Sequence, residues 1–114
     1  MSEPSPDLPL LAPGQAFPPV AQAWHAEDGA AGLLAMGGDL SVATLKTAYS
    51  LGIFPWFSAG EPVLWWSPDP RMVLAVHDFK IQPSFARTLK KFVRDPRCEI
   101  RVDFDFAATL PACA

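Results

Sequence analysis

The chain has 114 residues, half of them hydrophobic and 18% charged, which suits one globular domain with a core and excludes disorder along most of its length. Two cysteines (Cys98, Cys113) and two histidines (His25, His77) exclude a disulfide scaffold and a zinc-type ligand set, and both thiols are expected to be buried as small hydrophobes. The net charge of −3 hides a segregation: residues 80–101 hold seven cations against two carboxylates, net +5, which leaves −8 for the rest and points to an anionic partner at one place.

Six of the thirteen prolines fall in the first nineteen residues among Ser2, Glu3, Ser5 and Asp7. Residues 1–14 are therefore expected to be a flexible, extended Pro-rich tail, with the domain occupying 15–114 and order beginning near Phe17. The N-terminus has no basic stretch leading into an apolar one, and no apolar run approaches the roughly 18 residues of a membrane span. A soluble cytoplasmic protein without a membrane partner is expected.

The first helix follows Gly37-Gly38. Ser41 is placed as its N-cap, Leu40 and Leu45 sit at the hydrophobic-staple positions, and Leu45, Ala48 and Tyr49 form an apolar stripe. Gly52 ends the helix at about Leu51. Asp39, just ahead of it, is read as a turn or capping residue rather than a catalytic carboxylate.

From Ile53 the chain reads as a loop and then a strand. Pro55 breaks any helix, Ala59-Gly60-Glu61-Pro62 has turn chemistry, and Val63 to Trp66 favours a pleated conformation. Alternation puts Trp65 and Trp66 on opposite faces, one for the core and one for contact. In Ser67-Pro68-Asp69-Pro70-Arg71 the prolines stiffen a turn from which Asp69 and Arg71 project, most simply to pair with each other or to cap backbone. Met72 to Val76 is predicted as a second strand, antiparallel to the first.

Pro83 to Arg94 is predicted as the second helix, with proline at its first position and Asp95-Pro96 ending it. Phe85, Leu89, Phe92 and Val93 make one face. Arg87, Lys90, Lys91 and Arg94 recur at i, i+3, i+4 and i+7 on the other, a pattern that serves either as a solvated face or as a phosphate-binding one. Glu99 to Phe106, alternating Ile100, Val102, Phe104 and Phe106 with polar residues, is predicted as a closing strand. The expected fold is α/β (α+β), a small domain of short antiparallel strands and two helices.

No Ser/His/Asp set, Cys/His pair, phosphate loop or metal cluster occurs in the sequence, and Gly37-Gly38 lacks the spacing of a dinucleotide or Walker loop. What stands out is aromatic: Phe54, Trp56, Phe57, Trp65 and Trp66 lie within thirteen residues. The segments GLLAMGGDLS, GIFPWFSAGEP and LWWSPDPRMVL closely resemble the N-terminal signature of bacterial leucyl/phenylalanyl-tRNA-protein transferases.

That resemblance runs from about Phe17 to Ala114 and is densest from Gly32 to Leu74. It implies transfer of Leu or Phe, less readily Met, from aminoacyl-tRNA to proteins with N-terminal Arg or Lys, marking them for N-degron degradation. Because the aminoacyl ester is already activated, it implies no cofactor and no metal. It also implies that Trp56 helps form the pocket for the aminoacylated 3′-terminal adenosine, and that Arg87, Lys90 and Lys91, with Arg94 on the same face, meet the tRNA acceptor stem. Pro83 stands where the family often has a basic residue, which weakens or shifts one expected phosphate contact.

The family's catalytic carboxylate machinery lies in a larger C-terminal domain similar to the GNAT acyltransferases, so no catalytic residue is carried onto these 114 residues. They are expected to be monomeric and inactive alone. Two other accounts of the sequence remain open: a non-enzymatic module that holds a Pro-rich peptide or small ligand against Trp56 and Trp66, and a degenerate fragment that exposes apolar surface.

Overall fold

Leu33, Leu34 and Ala35 are consecutive, and all three are buried. A strand buried on both faces shows no alternation, so the run Gly32 to Gly37 carries no period-two signal and was not anticipated as a strand. In the computed structural model, which describes residues 6–114, it is β2 (Leu33–Gly37), an inner strand of a four-stranded sheet. The other strands are β1 (Leu10–Leu11), β3 (Phe54–Pro55) and β4 (Leu64–Trp66), in the order β1-β2-β4-β3. The β1–β2 pair is parallel and the other two pairs are antiparallel, making the sheet mixed.

Of the tail expected over residues 1–14, residues 1–5 lie outside the described residues. Leu10–Leu11 is extended as expected but is not free. Leu10 pairs with Met36 and Leu11 with Gly37, while the Met36 and Gly38 N–H groups donate to the Pro9 and Leu11 carbonyls at 2.9 and 2.8 Å. The Leu11 side chain is buried in the core, which is why a Pro-rich segment is held here.

The chain divides into two units, Met1–Met72 and Val73–Ala114. In the first, helix α1 (Val42–Ser50) begins where the sequence places it, with the Ser41 side chain accepting the Thr44 N–H at 3.3 Å. It ends at Gly52, whose φ of 76° is the left-handed conformation that glycine adopts without steric cost. The Ile53 N–H then donates to the Ala48 carbonyl at 2.9 Å and turns Ile53 into the core. Tyr49, assigned to the apolar stripe, is exposed instead; Ala48 is buried and Leu45 packs against the core.

Leu11, Ala23, Leu34, Ala35, Ala48, Ile53 and Trp65 form this core, with Phe17, Leu45 and Val63 packed on it. Trp65 is its centre at 0% exposure. Phe17 meets the Trp65 ring edge-on at 4.8 Å, and the indole N–H donates to the Gly37 carbonyl at 2.9 Å, so the one polar atom of the ring is satisfied. Close approach explains Gly32: a Cβ there would lie 2.8 Å from the Pro68 Cα, while the Ser67 N–H donates to the Gly32 carbonyl at 2.7 Å.

The second unit departs further from expectation. Helix α2 (Pro83–Arg94) has the predicted bounds, but α3 (Phe106–Cys113) is a third helix, and neither Met72 to Val76 nor Glu99 to Phe106 forms a strand. A strand is stable only when its backbone finds a neighbouring ladder, and these segments have none here. Their apolar residues Met72, Val73, Val76, Ile100, Val102 and Phe104 are all exposed, Met72 at 99%. Asp105 caps α3 by accepting the Ala108 N–H at 3.0 Å, and this draws Phe106 into helix. Cys98 and Cys113 are exposed rather than buried, because no residue of Val73–Ala114 is buried and there is no interior to receive them.

Candidate functional site

In the first unit the candidate is Trp56. Strand β3 ends at Pro55, with Phe54 opposite Trp66 and Pro55 opposite Trp65 on β4. The next residue is fixed at both backbone polar atoms: the Trp56 N–H donates to the Leu64 carbonyl at 2.9 Å, and its carbonyl accepts the Trp66 indole N–H at 2.8 Å. The Trp56 ring itself is 74% exposed, with Phe57 beside it in sequence at 38%. Beyond them the loop is closed by Glu61, whose carboxylate accepts the Ser58 N–H at 2.8 Å and whose N–H donates to the Ser58 carbonyl at 3.1 Å.

Trp65 and Trp66 thus divide as alternation requires. Trp65 is the core member, and the half-buried Trp66 is the one that reaches the surface aromatic. Of the two roles expected at this turn, the Asp69–Arg71 pair does not form, whereas capping of backbone does, through Arg71. Arg71 instead donates from Nη1 to the Gly52 carbonyl at 3.2 Å and places its guanidinium 5.5 Å from the Phe54 ring centroid; the Ser67 hydroxyl donates to the same carbonyl at 3.3 Å. Carbonyls at a helix C-terminus carry partial negative charge and lack intrahelical donors, which makes Gly52 the better partner for a cation. Arg71 thereby ties the end of α1 and the start of β3 to the Pro68–Pro70 turn.

Asp39 is a capping residue, as read from the sequence. Its carboxylate accepts the Ser41 N–H and the Thr44 hydroxyl at 2.8 Å each and the Gly14 N–H at 2.9 Å. Ser41, through its hydroxyl and amide, then Thr44 and Gly14, hold the Asp39 carboxyl far below the usual carboxylate range. Every one of these donors belongs to the chain itself. This is a structural staple.

In the second unit, Arg87, Lys90, Lys91 and Arg94 are exposed on α2 and line one open cleft with Asp95. Among the described residues none of the four has a carboxylate within salt-bridge distance. The Asp95 carboxylate is already engaged by Arg97, at 3.0 Å from Nε and 2.8 Å from Nη2, and this contact lowers the Asp95 pKa and raises that of Arg97. Four cations are left with no acid to neutralise them. No group of three metal-ligating side chains occurs among the described residues, and none of their helices is long and apolar enough to cross a membrane.

The match with known proteins falls on these elements. Residues 38–69, which span α1, β3, Trp56 and β4, match the model of the leucyl/phenylalanyl-tRNA protein transferase N-terminal domain. The chain matches the N-terminal portion of the leucyl/phenylalanyl-tRNA protein transferases. It is 54% identical over all 114 residues to the leucyl/phenylalanyl-tRNA–protein transferase of Albidiferax ferrireducens and covers 45% of that protein. The transferases of Paraburkholderia xenovorans and Polaromonas sp. are 56% and 55% identical over 107 residues, 94% of this chain, which cover 44% and 42% of their lengths. The chain therefore spans less than half the length of the transferases it matches.

Two details escaped the sequence: the Trp66 hydrogen bond to the Trp56 carbonyl, and Gly52 as the partner of the Arg71 backbone cap. Alternation put Trp65 and Trp66 on opposite faces of β4 without saying which meets the core, and the carbonyl that Trp66 reaches is ten residues away in the chain. The only sequence signal for that pairing is the hairpin itself, in which Pro55 and Ala59 to Pro62 bring Trp56 back alongside β4.

Proposed function

We propose that this chain supplies the tRNA-docking part, and one wall of the aminoacyl-adenosine pocket, of an enzyme that moves Leu or Phe from aminoacyl-tRNA to proteins with N-terminal Arg or Lys. Trp56 stacks the 3′-terminal adenine, a contact worth about 1–3 kcal/mol. Arg87, Lys90, Lys91 and Arg94 hold phosphates of the acceptor stem. In the reaction the acceptor's α-amino group attacks the carbonyl carbon of the aminoacyl ester, an amide forms, and the tRNA 3′ end leaves. The ester is the activated donor, so the step uses no cofactor or metal. The setting is the cytoplasm, the working form is a monomer, and the product enters the N-degron route of degradation.

The observation that carries this reading is the row of four unneutralised cations on α2. Counterion release gives each phosphate contact on a duplex a log-log salt slope of about −0.9, or roughly −3 to −4 for all four. Replacing two of them in the double variant Arg87→Ala/Lys90→Ala lowers tRNA affinity and flattens the slope by about 1.8. Filter binding of tRNA across a salt series measures it, and an unchanged slope removes α2 from the interface. No catalytic group is assigned to these residues, so the 114-residue chain does not by itself transfer radiolabelled Leu from Leu-tRNA to an Arg-starting peptide. Appreciable transfer overturns that assignment.

A further inference from the structure

Trp56 presents a contradiction: its ring is among the most exposed of the large apolar side chains in the first unit, at 74%, yet both polar atoms of its backbone are bonded. One bond, from its N–H to the Leu64 carbonyl, lies just past the end of β3. The other comes from a side chain, the Trp66 indole N–H, at 2.8 Å. Trp66 is half-buried and pairs in the ladder with Phe54, so its ring is held by the strand that carries it.

We infer that Trp66 is a positioning residue that acts through Trp56: its indole N–H fixes the Trp56 backbone so that the exposed ring stands as a pre-set stacking face. This rests on the proposal that Trp56 stacks an adenine. A flexible loop would have to be ordered each time a base bound, and immobilising one rotamer-rich residue cuts affinity by about 2- to 10-fold. A loop anchored in advance avoids that loss. Indole is suited to the task because it is donor-only and its ring orientation is set by packing. The exposed ring needs no such anchor for stability, since it buries little.

The experiment uses the 114-residue chain and adenosine as probe, with binding followed by NMR through the adenosine H2 and H8 signals. Substituting Trp66→Phe keeps an aromatic ring and deletes the N–H. The expected result is faster hydrogen exchange at the Trp56 amide without ligand and adenosine binding weakened by about 2- to 10-fold. In the double variant Trp56→Ala/Trp66→Phe the second change adds nothing further to the loss from Trp56→Ala, because Trp66 acts only through Trp56. Leu34→Val, a core change, controls for general destabilisation; it lowers the melting temperature and leaves both readouts unchanged.

The outcomes separate. If Trp56→Ala leaves adenosine binding unchanged, or the unaltered chain does not bind adenosine, the stacking proposal fails and this inference with it. If Trp56→Ala abolishes binding while Trp66→Phe changes neither exchange nor affinity, the stacking proposal stands and Trp66 is no positioning residue. Equal effects from Trp66→Phe and Leu34→Val likewise overturn the inference.

Discussion

At the scale of single residues, Asp39 shows how a carboxylate that invites a catalytic assignment is accounted for by its neighbours. Its donors come from Ser41, Thr44 and Gly14, so one side chain joins the start of α1 to a segment 25 residues earlier. These hydrogen bonds favour the ionised form and depress the folded-state pKa below the unfolded value of about 3.9. The native state therefore binds fewer protons than the unfolded state in the acid range, and stability rises with pH there. The contribution is complete above the unfolded pKa and is lost as pH falls toward the depressed one. Asp39→Asn is expected to lower the melting temperature at neutral pH, and to lose part of the decline in stability that the unaltered chain shows below about pH 4. Thermal unfolding from pH 7 to pH 2 measures both.

Among the elements, α1 is the one whose bounds follow from capping chemistry alone. Ser41 satisfies one of the orphan amides of the first turn, so Ser41→Ala is expected to cost about 1 kcal/mol in denaturant unfolding. A change within experimental error would mean that Asp39 holds the helix start unaided. α1 and α2 were legible because their signals are local: a serine before the first turn, a proline at the first helical position, a glycine or Asp-Pro at the end. β4 was legible because Val63 to Trp66 is β-prone and bounded by turns. β2 was not, since an inner strand shows its partners only in three dimensions. The opposite error occurred at Met72 to Val76 and Glu99 to Phe106, where good alternation does not supply the neighbour a ladder requires. The candidate site divides in the same way. The four cations of α2 could be counted from helical spacing, and Trp56 was singled out among five clustered aromatics only by the family resemblance, while the Trp66 bond that holds it depends on a hairpin register that no local pattern encodes.

For the molecule as a whole, the two units differ in what holds them. Met1–Met72 has a core around Trp65, whereas Val73–Ala114 contains no buried residue, and Val76, Val93, Ile100, Val102, Phe104 and Phe106 are all exposed. Burial of apolar surface contributes about 25 cal/mol per Å², so the first unit has the main favourable term of folding and the second lacks most of it. A helix the length of α2, at 12 residues, is marginal in water without tertiary support. Local opening in the second unit is therefore expected to be nearly free of cost, while opening of β2 and α1 requires the first unit to unfold. Native-state hydrogen exchange should find amides of Leu34, Ala35 and Ala48 protected to the level of global unfolding, and those of Leu89 and Lys90 protected by no more than about tenfold. Equal protection in the two units would show that α2 has support beyond what its own contacts provide. If α2 binds tRNA only as an ordered helix, the ligand must stabilise that state by mass action. Protection at Leu89 and Lys90 should then rise with tRNA concentration while that at Ala35 changes little, and the Arg87→Ala/Lys90→Ala variant should lose most of the rise.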